Sequence, residues 1–400
     1  MWHSLVASDY TPKEELLRRI NGLKEKMAEA GIDFSVIMQN ADLFYFSGTT
    51  QKGVMVIPLN DDPLLFVERS LERVSAETAL DVTPIKSDKE IEAILRQKGM
   101  LKGKGGMELD VVPVSVFERF KRVVGFAEFV DVAPLIRELR IKKSAFEIEQ
   151  VKRSGQIIGR IFEKAKHVVR EGVREIDIDA ELVAEGRRFG HQGFLRMRGF
   201  NQEMMNLYVT AGATSGVPSN ADVPIPGLGL TAAVAQGSSL KLVERGVPVL
   251  VDYGGGYNGY VTDETRMYVA GGMRERFKKP YEVTREIIED VTAFGREGID
   301  CTEIFHRAHQ LVTKAQLQDH FMGFGEGQVP FIGHGLGLEI NELPVITSRH
   351  ERILEEGMVF AFEPKFIFPG EGSVGIEVDF IVRTGGLERV VETPIEVVYV

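Results

Sequence analysis

Long hydrophobic runs, clustered basic charge and cysteine are what this 400-residue chain has least of. No apolar stretch approaches the roughly 20 residues that a bilayer-spanning helix needs. Lysine and arginine number 48 against 59 aspartates and glutamates, a net charge of −11. That balance argues against a general electrostatic grip on nucleic acid or acidic membranes, which requires clustered cations. Cys301 is the only cysteine, so no intramolecular disulfide can form and a reducing compartment fits. Its place at the start of a predicted helix gives it a packing role rather than that of a catalytic thiol. Met1 to Tyr10 lacks the basic start and apolar run of a signal peptide, so the expected location is the cytoplasm.

What is present describes a soluble globular protein. A hydrophobic fraction of 44% with 27% charged residues excludes disorder, and the length exceeds what one core usually serves, so two domains are expected. Thr11-Pro12-Lys13-Glu14 reads as a helix start with Thr11 capping, Pro12 at the first helical position and Glu14 able to close a capping box. Leu16, Leu17, Ile20, Leu23 and Met27 then recur at helical spacing up to a stop at Gly31. Strand-like runs follow at 34–38, 54–58 and 64–67, a capping box at Ser87 to Glu90 opens a helix to about Gln97, and a strand near 106–109 precedes a helix near 115–123. This is an α/β domain of residues 1–140. The mostly basic stretch Arg137 to Lys143 marks the boundary, and the capping box Ser144 to Glu147 opens a long helix that begins a second domain, 141–400.

The second domain contains an internal echo. Arg170-Glu171-Gly172-Val173 and Arg296-Glu297-Gly298-Ile299, each between helices, lie 126 residues apart. After the first copy, a strand, turn and strand hold Asp252 and Asp263, 11 residues apart; after the second, a similar unit holds Glu363 and Glu377, 14 apart. A duplicated unit would set the two hairpins face to face around a shared centre.

These carboxylates interrupt apolar strands. Asp252 follows Val249-Leu250-Val251, Asn258-Gly259 signals the turn, and Asp263 lies early on the returning strand. Alone, each Asp reads as a turn cap or a partner of Arg266. Met358 to Phe362 then ends in Glu363-Pro364, and Val374-Gly375-Ile376 leads into Glu377. Four acidic groups so placed repel one another unless cations balance them, and two dications would match their formal charge. Phe331-Ile332-Gly333-His334-Gly335 adds an imidazole between glycines that let backbones approach closely.

In their order, Asp252, Asp263, His334, Glu363 and Glu377 resemble the ligand set of the pita-bread metallopeptidases, the family of aminopeptidase P, prolidase and methionine aminopeptidase. The stretches DYGGGYNGYVTDETR, GHGLGLEINELP, GMVFAFEP and GIEVDF carry the likeness, and the linker 136–144 resembles the one that follows a creatinase-like amino-terminal domain. The resemblance implies an α/β creatinase-like domain followed by an α+β pita-bread domain with a pseudo-twofold repeat. It further implies a homodimeric Xaa-Pro peptidase with two divalent ions, manganese, cobalt, iron or zinc. Asp263 and Glu377 would bridge the ions, Asp252 would hold one and His334 with Glu363 the other. Water between the ions would be the nucleophile, and Glu363 the proton carrier.

The pattern also breaks. Asn341 stands seven residues after His334, where the family usually has a second imidazole, and Ala235 or Gln236 stands where it has an upstream histidine. Gly375 occupies a place where many Xaa-Pro peptidases have an arginine. The Gly- and Pro-rich segment Arg196 to Gly237, with Asn206, Tyr208, Asn220 and Gln236, is expected to line the substrate pocket. These departures keep two rivals open: hydrolysis of a small amide or amidine metabolite on the same site, and a binding protein that kept the fold without turnover. Three other signals are set aside. Gly323 to Gly327 lacks the strand and helix of a dinucleotide loop, His306 and His309 read as a solvated helix face, and His350 is a spare imidazole in a polar loop.

Overall fold

The computed structural model describes residues 10–100, 103–124, 128–219, 221 and 223–400. They form two compact units: the chain up to Arg140 together with Arg198–Gln202, and Ile141–Met197 together with Glu203–Val400.

The first unit is an α/β layer. In chain order it contains α1 (Lys13–Ala30), β1 (Phe34–Ile37), α2 (Asn40–Ser47), β2 (Gly53–Pro58), β3 (Leu64–Val67) and α3 (Leu71–Glu77). Then come β4 (Val82–Pro84), α4 (Asp88–Gln97), β5 (Lys104–Met107), α5 (Val114–Val124), β6 (Glu128–Asp131) and α6 (Ala133–Arg140). The strands make one mixed sheet in the order β4-β3-β2-β1-β5-β6. On α1, Leu16, Ile20, Leu23 and Met27 are buried at helical spacing, whereas Leu17 falls off that face. The first two expected caps differ from expectation. Pro12, not Thr11, is the N-cap of α1 and no side chain caps it; Ser87 precedes α4 without a side-chain bond, while Glu90 accepts from the Lys86 amide at 3.3 Å. Gly31 does end α1, in the left-handed conformation.

The basic stretch before the second unit carries two buried cations. Arg140 is buried in the first unit, 2.7 Å from the equally buried Asp42, and Lys143 is buried in the second, 3.1 Å from Glu342. The box at Ser144 forms as expected, with both reciprocal hydrogen bonds to Glu147.

The second unit runs α7 (Ala145–Val168), α8 (Glu175–Arg188), β7 (Leu207–Ala211), β8 (Pro248–Tyr257), β9 (Tyr260–Val269), α9 (Glu275–Phe294) and α10 (Cys301–Ala315). The strands β10 (Phe331–Gly335), β11 (Glu342–Thr347), β12 (Val359–Phe362), β13 (Lys365–Phe368), β14 (Gly372–Gly375), β15 (Val378–Arg383), β16 (Gly386–Arg389) and β17 (Val398–Tyr399) follow. One sheet has the order β17-β9-β8-β7 and another β11-β10-β12-β15-β16, with β13 and β14 forming a separate ribbon.

The echo is structural. Gly172 and Gly298 both adopt positive φ, 81° and 88°. The Gly172 amide donates to Val243 O and the Gly298 amide to Leu354 O, and isolated bridges Arg174–Leu242 and Asp300–Ile353 follow in each copy. Each half then lays a helix pair on its sheet. Ile158, Phe162 and Leu182 pack with Val249, Val251 and Tyr253 in the first half; Ile287, Val291, Ile304 and Val312 pack with Ile332, Phe360 and Phe380 in the second. Cys301 is fully buried in that second core, and burial pushes its thiol up to about 12, so it is a packing residue.

Candidate metal centre

The first hairpin is made by β8 and β9, closed by Asn258 and Gly259 at φ 48° and 84°. Asn-Gly suits this tight turn because both positions need positive φ. Strand alternation puts Asp263 and Thr265 on one face and Glu264 and Arg266 on the other. Arg266 accordingly ion-pairs with Glu264 at 2.7 Å, and neither Asp252 nor Asp263 relies on it. The second ribbon is a hairpin broken in the middle: β12 pairs with β15 and β13 with β14. Glu363-Pro364 and Ile376-Glu377 occupy the break, where proline cannot donate to a ladder. The hairpins join at this break, the Glu377 amide donating to Thr265 O at 3.2 Å.

His334 reaches the same place from β10, which is squeezed between β11 and β12. A Cβ at Gly333 would lie 2.3 Å from Ala361 O, and one at Gly335 2.0 Å from Leu343 O, so only glycine fits on either side of the imidazole. His334 Nε2 is 3.9 Å from both Asp263 Oδ2 and Glu363 Oε1. Ligand atoms of Asp263, His334 and Glu377 all lie within 4.8 Å of one another. Asp263 Oδ1 and Glu377 Oε1 are buried with no hydrogen-bond partner among the described residues. Two residues with orphaned, buried carboxylate oxygens, whose ligand atoms lie this near an imidazole nitrogen, fit one divalent cation. Burial and the neighbouring Glu377 and Asp252 carboxylates push Asp263 well above the usual range, and burial pushes Glu377 up to about 8.

Asp252 and the far oxygens of the two glutamates have another partner. Lys365, at the start of β13 and 2% exposed, places Nζ 2.9 Å from Asp252 Oδ2, 2.9 Å from Glu363 Oε2 and 2.8 Å from Glu377 Oε2. The five acidic and imidazole residues singled out in the sequence are therefore brought together, three of them around a lysine that sequence reasoning missed and the other two, Asp263 and His334, against each other. Two further contributors were also missed. Thr265 Oγ1 donates to Glu377 Oε2 at 2.9 Å, and Asp379 Oδ2 accepts from the Asp263 amide at 2.8 Å. Each of the three stands two residues beyond an acidic residue already singled out, which is the same-face spacing of a strand.

Among the substrate candidates, Tyr208 pairs across the sheet with Asp252, and its hydroxyl donates to Gln236 Oε1 at 2.9 Å. Asn341 is half-buried at the turn before β11. Asn220 lies outside the described residues. Part of the long segment, Arg198–Gln202, belongs to the first unit, while Ser215, Pro218, Val223, Pro224 and Pro226 line a cavity of about 270 Å³ with Phe324, Val329 and Ile367. The Gly323 to Gly327 stretch is a wall of that cavity. His309 packs against Phe305 and Phe321 instead of facing solvent, and His306 and His350 share a separate exposed cleft. No helix is long and apolar enough to cross a membrane among the described residues.

The chain is similar in sequence and in fold to known peptidases. A Xaa-Pro dipeptidase of Pyrococcus furiosus is 28% identical over 377 residues, 94% of this chain and 98% of its own length. The solved Xaa-Pro dipeptidase of Bacillus anthracis superposes with a TM-score of 0.83 at 26% identity, covering 96% of this chain and all of the other. The X-Pro aminopeptidase of Thermotoga maritima gives 0.78 at 25% identity, covering 95% and 99%. Residues 19–142 match the creatinase/prolidase N-terminal domain. Residues 149–384 match metallopeptidase family M24, and the chain belongs to that family.

Proposed function

We propose that this chain is a divalent-metal-dependent hydrolase that releases the residue preceding proline from dipeptides or from the start of longer peptides. The observation that carries this reading is that Asp263 and Glu377, each with a buried oxygen lacking a partner among the described residues, bring ligand atoms within 4.8 Å of one another and of a His334 ring nitrogen. Glu363 Oε1, 3.9 Å from His334 Nε2, is a further oxygen available to that ion, while Asp252 is held by Lys365. Manganese, cobalt, zinc and iron all accept carboxylates with one imidazole. An ion held there supplies Lewis acidity towards the scissile carbonyl and hydroxide near neutral pH.

The chain's own groups supply the rest. Lys365 fixes Glu363 through Oε2, which leaves Oε1 on the His334 side to take a proton from water and pass it to the departing proline nitrogen. The cavity bounded by Pro218, Pro224, Pro226, Phe324, Val329 and Ile367 suits a pyrrolidine ring, and Ile367 lies two residues beyond Lys365 on β13. Tyr208, held by Gln236, and Asn341 are the polar groups assigned to the substrate backbone; Asn341 donates hydrogen bonds without exchanging a proton. The 1–140 unit serves as the creatinase-like partner of the 141–400 catalytic unit. The resemblance brings a homodimer with it, and the single buried Cys301 suits a reducing cytoplasm.

The test is a substrate panel of Xaa-Pro dipeptides, longer Xaa-Pro peptides and small amides, each assayed with added manganese or cobalt and after chelation. Metal-dependent release of the residue before proline is expected. Inactivity on every Xaa-Pro substrate, with turnover of an amide, would move the function to small-molecule hydrolysis.

A further inference from the structure

Four carboxylates converge in this centre, yet the positions available to balance them are not alike. Asp263 Oδ1 and Glu377 Oε1 have no hydrogen-bond partner among the described residues, and His334 Nε2 stands 3.9 Å from the other Asp263 oxygen, Oδ2. By contrast, three oxygens from Asp252, Glu363 and Glu377 all lie within 2.9 Å of a single nitrogen, Lys365 Nζ. An ammonium with three carboxylate acceptors has used its three protons, and the space it fills is the space a cation bound by those same oxygens would need.

The opposite strand is built for this side chain. Lys365 pairs directly with Gly375 on β14. A Cβ at Gly375 would lie 2.5 Å from Lys365 Cγ and 3.2 Å from its Cβ, and Leu250 closes the remaining side at 3.3 Å. The φ of Gly375 is not in the left-handed region, so the glycine is there for room and not for backbone freedom. With the stem packed this way, the ammonium is directed into the acid cluster.

We infer that Lys365 takes the place of one of the two cations, making this a single-ion centre in which Asp263, His334 and Glu377 hold the metal while the ammonium neutralises Asp252 and the far sides of Glu363 and Glu377. One dication and one ammonium bring +3 against the four carboxylates, where two dications alone would bring +4. The inference rests on reading the cluster as a metal site, but it concerns the number of ions and not the substrate.

The test is metal counting on the full chain. Protein loaded with excess Mn²⁺ and desalted is analysed by elemental mass spectrometry and by electron paramagnetic resonance, beside Lys365→Met. The wild type is expected to hold one ion per chain with the spectrum of an isolated Mn²⁺. Lys365→Met, of similar length but uncharged, is expected to gain a second ion and an exchange-coupled spectrum. Two coupled ions in the wild type would overturn the inference, as would a wild type holding none, or a folded Lys365→Met that stays at one. If Lys365→Met does not fold, the wild-type count and spectrum decide alone. The same samples are given Xaa-Pro peptides. A single-ion protein inert towards them upholds the lysine's role and removes the proposed substrate; a two-ion protein that cleaves them does the reverse.

Discussion

Replacing Gly375 by alanine adds one carbon at the point where the acid cluster is held together. That carbon would meet Lys365 Cγ at 2.5 Å and Leu250 Cδ2 at 3.3 Å. Lys365 Cγ lies near the backbone end of its stem, so it cannot swing aside without moving the ammonium. Overpacking of this kind costs about 1–3 kcal/mol, and losing the cation from a buried cluster costs about 3–5 kcal/mol if displacement is complete. At about 2–4 °C per kcal/mol for a unit near this size, the steric cost alone lowers the unfolding temperature by about 2–12 °C. The assay is thermal unfolding without added metal, for Gly375→Ala, Lys365→Ala and the double variant. Truncating Lys365 removes the 2.5 Å clash with Cγ and leaves only its Cβ at 3.2 Å, so the two changes should be strongly non-additive. A Gly375→Ala protein as stable as the wild type, or effects that simply add, would refute the proposed packing of glycine against lysine.

Two further predictions concern single groups. Thr265→Val removes the donor to Glu377 Oε2 and should weaken metal binding about 10–100-fold; titration calorimetry showing unchanged affinity would contradict the hydroxyl's orienting role. In the first unit, burial and the nearby Asp42 carboxylate push Glu108 up to about 8. The folded state therefore keeps a proton that the unfolded chain loses near pH 4.5, and stability should decline as pH rises from about 4.5 to about 8 and level off above. Glu108→Gln should flatten that decline in denaturant titrations at pH 5 and pH 8.5, whereas an unchanged slope would assign the pH dependence to other groups.

The legible parts of the chain were those with a strong local signature. The Asn258-Gly259 turn, the apolar strands around Asp252 and Glu363, and the repeated glycine-ended motifs all have short-range causes, so residues far apart in sequence could be placed around one centre. The short helix α2 escaped notice because Ala41, Leu43, Tyr45 and Phe46 are all buried, leaving no stripe to betray a helical period. Thr11 was misread as a cap because Thr-Pro is ambiguous by one residue. Arg137 to Lys143 reads as a domain boundary, and charge in sequence does not reveal that Arg140 and Lys143 each meet a buried carboxylate. Lys365 carried a local signal, two residues beyond Glu363 on the same strand face, but that it reaches Asp252, 113 residues away in sequence, is a long-range fact that only tertiary structure supplies.

The most direct test of the centre is a crystal of the Mn²⁺-soaked protein measured near the manganese absorption edge. The account predicts an anomalous peak within bonding distance of Asp263, His334 and Glu377, with Lys365 still against Asp252. A map with no peak there, or with the metal bound elsewhere, would contradict it.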